Sequence, residues 1–284
     1  MTTAALPTPL VSPQQLIAAL ASGAAPLVID CSFDLADVGA GERAYAQAHL
    51  PGAIHAHLDR DLSTVKTGRN GRHPLPPRAD WAATLARLGV TPARAVVVYD
   101  AQGGMYAARA WWMLLWAGHR DVRVLDGGLQ AWQAAGGTVE AGIVAPVAAS
   151  GSYPLGDSLV ASVDADTLQR SLGRVTVLDA RAGERYRGEV EPLDKRAGHI
   201  PGARSRFFKD NLDASGRFKP AAELRTVFEA FGAAPSAVVH QCGSGVTACH
   251  NLLAMEAAGL PGSVLYPGSW SEWSADPARP IAVG

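Results

Sequence analysis

Ala237-Val238-Val239-His240-Gln241-Cys242-Gly243-Ser244-Gly245-Val246-Thr247-Ala248 passes from a short β-branched stretch through a glycine-containing loop into a helical pattern. A run of this kind places a thiol at the C-terminal end of a parallel strand, where open α/β sheets put their ligands. The run has a counterpart earlier in the chain. Ala101 to Ala107 lies on Cys242 to Ala248 at an offset of 141, and Leu129 to Trp132 lies on Trp270 to Trp273 at the same offset. Upstream, His49-Leu50-Pro51-Gly52-Ala53 corresponds to His199-Ile200-Pro201-Gly202-Ala203 at an offset of 150, and Leu27 to Asp30 corresponds to Thr176 to Asp179 at 149. A common order of landmarks with small length changes between them is an internal repeat.

Within each copy, apolar runs such as Ala95 to Tyr99, Val175 to Leu178 and Ala237 to His240 alternate with helical patterns such as Trp81 to Leu88, Ala221 to Phe231 and Thr247 to Ala258. Alternation of this kind builds βαβ units, so the expected class is α/β, with two domains that are each a parallel sheet flanked by helices. A chain of 284 residues accommodates two domains of ordinary size. The expected boundaries are 1–140 and 159–284, joined by a Gly-, Pro-, Ser- and Ala-rich linker over 141–158.

With 25 basic and 26 acidic side chains, no net field is available to attract nucleic acid or an anionic membrane. The longest apolar segment, Met105 to Gly118, contains Arg109 and is shorter than the roughly 20 residues a membrane span needs. It is expected to be a buried helix. The first basic residue is Arg43, so the opening stretch lacks the pattern of a targeting segment, and a cytoplasmic location is expected. Three cysteines, at 31, 242 and 249, form neither a disulfide framework nor a zinc site, and His49, His55 and His57 have no acidic or cysteine partner at ligand spacing. Neither a metal nor a cofactor is expected.

The chemistry concentrates at Cys242. Gly243 and Gly245 let the loop curl so that its N–H groups point inward, and the following helix adds its positive end, which together make an anion nest around the sulfur. The nest favours the thiolate and hence a nucleophile at neutral pH. Ser244 and Thr247 could donate hydroxyl hydrogen bonds to a persulfide formed there. The first copy keeps the loop but has Ala101 where the second has Cys242, so it reads as an inactive copy.

The order Asp179-Ala180-Arg181, Gly198-His199-Ile200-Pro201-Gly202-Ala203, Cys242-Gly243-Ser244-Gly245-Val246-Thr247-Ala248 and Gly268-Ser269-Trp270-Ser271-Glu272-Trp273 resembles the tandem rhodanese family over nearly the whole chain. The resemblance implies two rhodanese-like domains, sulfur transfer through a Cys242 persulfide, and a binding loop that includes Gly243, Gly245 and Val246. Within the family, thiosulfate enzymes tend to have Cys-Arg-Lys-Gly-Val-Thr, whereas mercaptopyruvate enzymes have the Cys-Gly-Ser-Gly-Val-Thr-Ala seen here. The implied donor is therefore a small anion, 3-mercaptopyruvate, with thiosulfate the alternative, and the implied acceptor is cyanide, a thiol or a thioredoxin-like protein. Arg185-Tyr186 matches the family pair whose arginine binds substrate, and Arg181 is a further candidate.

His73 matches a family histidine near the catalytic loop and is expected to polarise or hydrogen-bond Ser244 or the substrate. One departure stands out. Family members with this loop carry an arginine after Glu-Pro, but Leu193 follows Glu191-Pro192 here, which leaves Lys195 or Arg196 to supply the charge. A Cys-x5-Arg phosphatase is excluded, because the position six residues after the cysteine is Ala248. A non-catalytic binding or sulfur-relay protein would be expected to have lost the cysteine or its nest.

Overall fold

The computed structural model describes residues 8–23 and 25–284. The chain falls into two units: one contains the residues through Leu62 together with Pro76–Leu159 and Ala214–Phe218, and the other contains Ser63–Leu75, Val160–Asp213 and Lys219–Gly284. Segment 63–75 therefore belongs to the second unit, although sequence order alone would assign it to the first.

The first unit holds a five-stranded sheet in the order Leu10–Val11, Val122–Leu125, Val96–Tyr99, Leu27–Asp30, Ile54–His55. The second repeats that order with Ala161–Ser162, Val264–Leu265, Val238–Gln241, Thr176–Asp179 and Arg204–Ser205. Every neighbouring pair is parallel. The central strands Val96–Tyr99 and Val238–Gln241 are buried along their whole length, as expected when helices cover both faces of a parallel sheet. The helical patterns read from the sequence are helices at Arg78–Arg87, Ala221–Glu229 and Thr247–Ala257. The apolar segment around Arg109 is the buried helix Ala107–Trp116. Among the described residues, no helix is long and apolar enough to cross a membrane.

The repeat extends to individual side chains. In the first unit Tyr45 donates to the carbonyl of Ala53 at 2.7 Å and stacks on His49, whose Nδ1 meets the Tyr45 carbonyl at 2.8 Å. In the second, Tyr186 donates to Ala203 at 2.6 Å and stacks on His199, whose Nδ1 meets the Tyr186 carbonyl at 2.8 Å. His49 is thus part of the packing. Trp132 donates to Thr138 at 2.7 Å and Trp273 to Pro280 at 2.8 Å, and each lies in the core of its own unit. These indoles bury a large apolar area while keeping the N–H paired.

Residues 141–158, the expected linker, contain no helix or strand. Ala149, Tyr153 and Gly156 donate backbone hydrogen bonds to Ala86, Ala82 and Ala117 at 2.8, 3.2 and 3.0 Å, and Tyr153 is buried with its hydroxyl 3.0 Å from His119. The segment is a strap on the first unit. Its composition gave no sign of this, because backbone bonds and one anchoring ring leave no periodicity.

Candidate active site

Cys242 begins the turn between strand Val238–Gln241 and helix Thr247–Ala257, and it is 2% exposed. Its Sγ accepts the backbone N–H groups of Ser244 at 3.4 Å and Gly245 at 3.2 Å. Gly245 lies at φ +74°, and a Cβ there would strike the Pro267 carbonyl, so only glycine permits this curl. The loop is fastened from outside: Trp270 N donates to Cys242 O and Ser271 N to Gly243 O, both at 2.9 Å, and Cys249 Sγ donates to Gly245 O at 3.3 Å. Cys249 is fully buried.

Ser269 carries no signal in the sequence beyond its place in the Gly268–Trp273 motif. It is the one described non-glycine residue at positive φ, 54°. Its Oγ accepts the Cys242 N–H at 3.1 Å and donates to Tyr266 O at 2.9 Å. The equivalent position in the first unit is Gly128, at φ +58°. A side chain held in that region costs of order 1–3 kcal/mol, and here the hydroxyl it supplies anchors the Cys242 backbone.

The first unit shows what such a loop holds. There the Asp100 carboxylate occupies the nest: Oδ1 accepts the N–H groups of Gln102 and Gly104 at 2.8 and 2.9 Å, and Oδ2 those of Tyr106 and Ala107 at 2.8 and 2.9 Å. Burial pushes the Asp100 pKa up, and the four N–H bonds oppose that shift. The equivalent of Asp100 in the second unit is Gln241. Gln241 is buried with neither amide atom hydrogen-bonded, and the N–H groups of Gly243, Thr247 and Ala248, equivalent to three of the four that grip Asp100, have no acceptor among the described residues. The same loop backbone thus surrounds a carboxylate in the first unit and the Cys242 thiol in the second.

Ser244 Oγ lies 2.7 Å from His73 Nδ1, and both side chains are buried. The pair expected from the sequence is in place. Thr247 opens the helix that follows the loop. Val246 precedes it and is buried.

The arginines divide sharply. Arg181 is not free to meet a substrate. Its guanidinium grips Asp179 through Nε at 3.0 Å and Nη2 at 2.6 Å, reaches Glu191 at 3.3 Å and Gly198 O at 2.8 Å, and stacks over Trp270 at 4.7 Å. Burial pulls its pKa down, but Asp179 and Glu191 outweigh this. Arg181 is thus a buried counter-charge to Asp179 and Glu191. Arg185 stands on the short helix Gly183–Arg187 and donates through Nη2 to Glu191 at 2.6 Å, while its Nε is buried with no partner among the described residues. A Cβ built on Gly243 would lie 3.5 Å from Arg185 Nη1, so this guanidinium borders the loop. Arg196 is spent on the carbonyls of Ser274, Trp273, Asp276 and Arg279 and does not replace the family's second arginine. Lys195 lines a cavity of about 240 Å³ together with Lys66, Arg72, Leu193, Asp194 and Ser271.

Comparison with known proteins places this geometry in a class. The rhodanese-like domain model matches residues 12–135 and 164–276. A protein named "Probable 3-mercaptopyruvate sulfurtransferase" from Pseudomonas aeruginosa is 48% identical over 281 residues, covering 97% of this chain and 98% of that one. The thiosulfate sulfurtransferase of Gallus gallus is 34% identical over 256 residues, covering 88% and 87%. The solved 3-mercaptopyruvate sulfurtransferase from Leishmania major superposes with a TM-score of 0.83 at 32% identity, covering 93% of this chain and 74% of that one. The chain belongs to the rhodanese-like family, with the domain present twice. Its place among these relatives makes it an enzyme of the sulfurtransferase class.

Proposed function

We propose that the second unit transfers a sulfur atom from 3-mercaptopyruvate, through a persulfide on Cys242, to a thiol, cyanide or a thioredoxin-like acceptor. The observation that carries this reading is the cradle around Cys242 Sγ, whose backbone copy in the first unit holds a carboxylate by four N–H bonds. In the first half-reaction the Cys242 thiolate attacks the donor sulfur, and the carbon–sulfur bond breaks with its electron pair going to carbon. This leaves the enolate of pyruvate, which takes a proton, and a persulfide whose outer sulfur is solvated by loop N–H groups. The Ser244–His73 pair offers a hydrogen bond to the donor carbonyl as it becomes the enolate oxygen. In the second half-reaction the acceptor attacks the outer sulfur, and the sulfur–sulfur bond breaks with its electron pair returning to Cys242.

Local charge favours a monoanionic donor. Three guanidiniums, Arg72, Arg181 and Arg185, are matched by three carboxylates, Asp179, Glu191 and Asp194. A dianion would bring more negative charge into a largely buried site than these groups offset, whereas the loop of the thiosulfate enzymes adds two cations of its own. Steady-state transfer from each donor tests the choice. The reading expects the larger kcat/KM with 3-mercaptopyruvate, and a larger value with thiosulfate overturns the assignment of the donor. The first unit, with Ala101 and a self-filled nest, is assigned no turnover.

A further inference from the structure

Leu193 stands where the family's second arginine is expected, and a guanidinium from a different part of the chain borders the Cys242 loop. Arg72 lies in segment Ser63–Leu75 of the second unit. Its backbone N–H donates to Ser271 Oγ at 2.9 Å, and the preceding Gly71, at φ +86°, approaches so closely that a Cβ there would lie 2.9 Å from the Gly268 carbonyl. The segment is thus docked on the turn that also fastens the Cys242 loop, and its next residue is His73, the partner of Ser244.

From this anchor the Arg72 side chain reaches Gly243. A Cβ built on Gly243 would lie 2.9 Å from Arg72 Nη2 and 3.5 and 3.7 Å from the two Nη atoms of Arg185. Two guanidiniums therefore border the same face of the residue that follows the nucleophile. Asp194 holds them as a pair, with Oδ1 2.6 Å from Arg72 Nη1 and Oδ2 3.5 Å from Arg185 Nη2. The pairing does not exhaust either group: among the described residues, the Nε atoms of both arginines are buried without a partner, and Arg72 Nη2 and Arg185 Nη1 have no acceptor. Leu193, at the place of the family's second arginine, lines the same cavity as Arg72.

We infer that Arg72 is the second substrate-binding guanidinium of this enzyme, taking one side of the donor carboxylate while Arg185 takes the other. The inference rests on the reading that the donor is a carboxylate. Two planar forks on one carboxylate fix its orientation as well as its charge, which sets the donor sulfur against Cys242.

The test compares wild type with Arg72→Leu, Arg72→Lys and the double variant Arg72→Leu/Leu193→Arg, using 3-mercaptopyruvate as donor. Arg72→Leu is expected to raise KM about 10- to 100-fold, as loss of a charge-assisted hydrogen bond does, with kcat within a few-fold of wild type. Arg72→Lys should recover part of the loss, and the double variant should recover KM because the guanidinium re-enters the same cavity. A second readout does not depend on the donor. The rate of Cys242 alkylation by iodoacetate relative to neutral iodoacetamide should fall about tenfold or more in Arg72→Leu. An unchanged KM and alkylation ratio, or an equal slowing of both reagents, would mean that Arg72 only holds the His73 segment, and the inference fails. If wild type instead prefers thiosulfate while the alkylation ratio still drops in Arg72→Leu, the carboxylate-binding role of Arg72 stands and the donor assignment falls.

Discussion

Replacing Gln241 by aspartate should convert the working nest into a copy of the blocked one. In the first unit the residue at this position is Asp100, and its carboxylate takes four N–H groups at 2.8 to 2.9 Å. Their counterparts in the second unit are the N–H groups proposed to hold the donor and the persulfide. A net gain of about 1.5–3 kcal/mol is usual for a hydrogen bond to a charged group. Burial opposes the charge at Asp100, so the full sum is not realised there. If a donor must displace only two of the four bonds, the introduced carboxylate costs about 3 kcal/mol or more, on the order of a 100-fold or greater loss in kcat/KM.

Gln241→Asn is the matched control, with the same side-chain length and no charge. Thermal melting of both variants checks that they fold, and donor kinetics together with iodoacetamide alkylation of Cys242 read the nest. A folded Gln241→Asp enzyme within about threefold of Gln241→Asn would refute the view that the cradle binds anions.

Gly243→Ala drives a methyl group against Arg72 Nη2; the guanidinium should swing aside, raising KM for 3-mercaptopyruvate about tenfold while stability changes by about 1 kcal/mol. His240, fully buried before the nest, has its pKa pushed down from 6.5 to about 3 by burial. The unfolded chain takes up this proton as pH falls through 6.5, whereas the folded chain does so only near 3. Stability from this residue is therefore complete above pH 6.5 and lost on acidification, on the order of 4 kcal/mol across that window. Urea unfolding at several pH values should show a shallower acid loss in His240→Leu than in wild type. Asp100 and Asp194, whose pKa values are raised by burial, act in the opposite direction in both proteins, so the difference between the two curves isolates the histidine.

What was legible in the sequence follows chain distance. The strand, loop and helix around Cys242 are contiguous, and the N–H donors to its sulfur come from two and three residues away, so repeat and loop chemistry could be read directly. Arg185 and His73 were found through motif matches, and His73 lies against Ser244 across 171 positions. Arg72 stands beside His73, but its relevance depends on Asp194, 122 positions away, and on Gly243, whose lack of a side chain makes the room it uses. Ser269 lay within a quoted motif, yet only its backbone conformation reveals the bond to Cys242. Arg181 is a candidate by its place after the strand; its burial between Asp179, Glu191 and Trp270 is a tertiary fact. The role of Asp100 was hidden for a different reason. The repeat aligned Ala101 with Cys242 and drew attention to the missing thiol, while the change one position earlier decides whether the nest is open.

The most direct test of the account is the intact mass of the protein after brief reaction with 3-mercaptopyruvate in the absence of acceptor, with the modified peptide located by tandem fragmentation. The account predicts a gain of one sulfur atom on Cys242, its removal by cyanide or a thiol, and no gain in Cys242→Ser. A sulfur found on Cys31 or Cys249, or turnover by Cys242→Ser at the wild-type rate, would contradict the proposed role of Cys242.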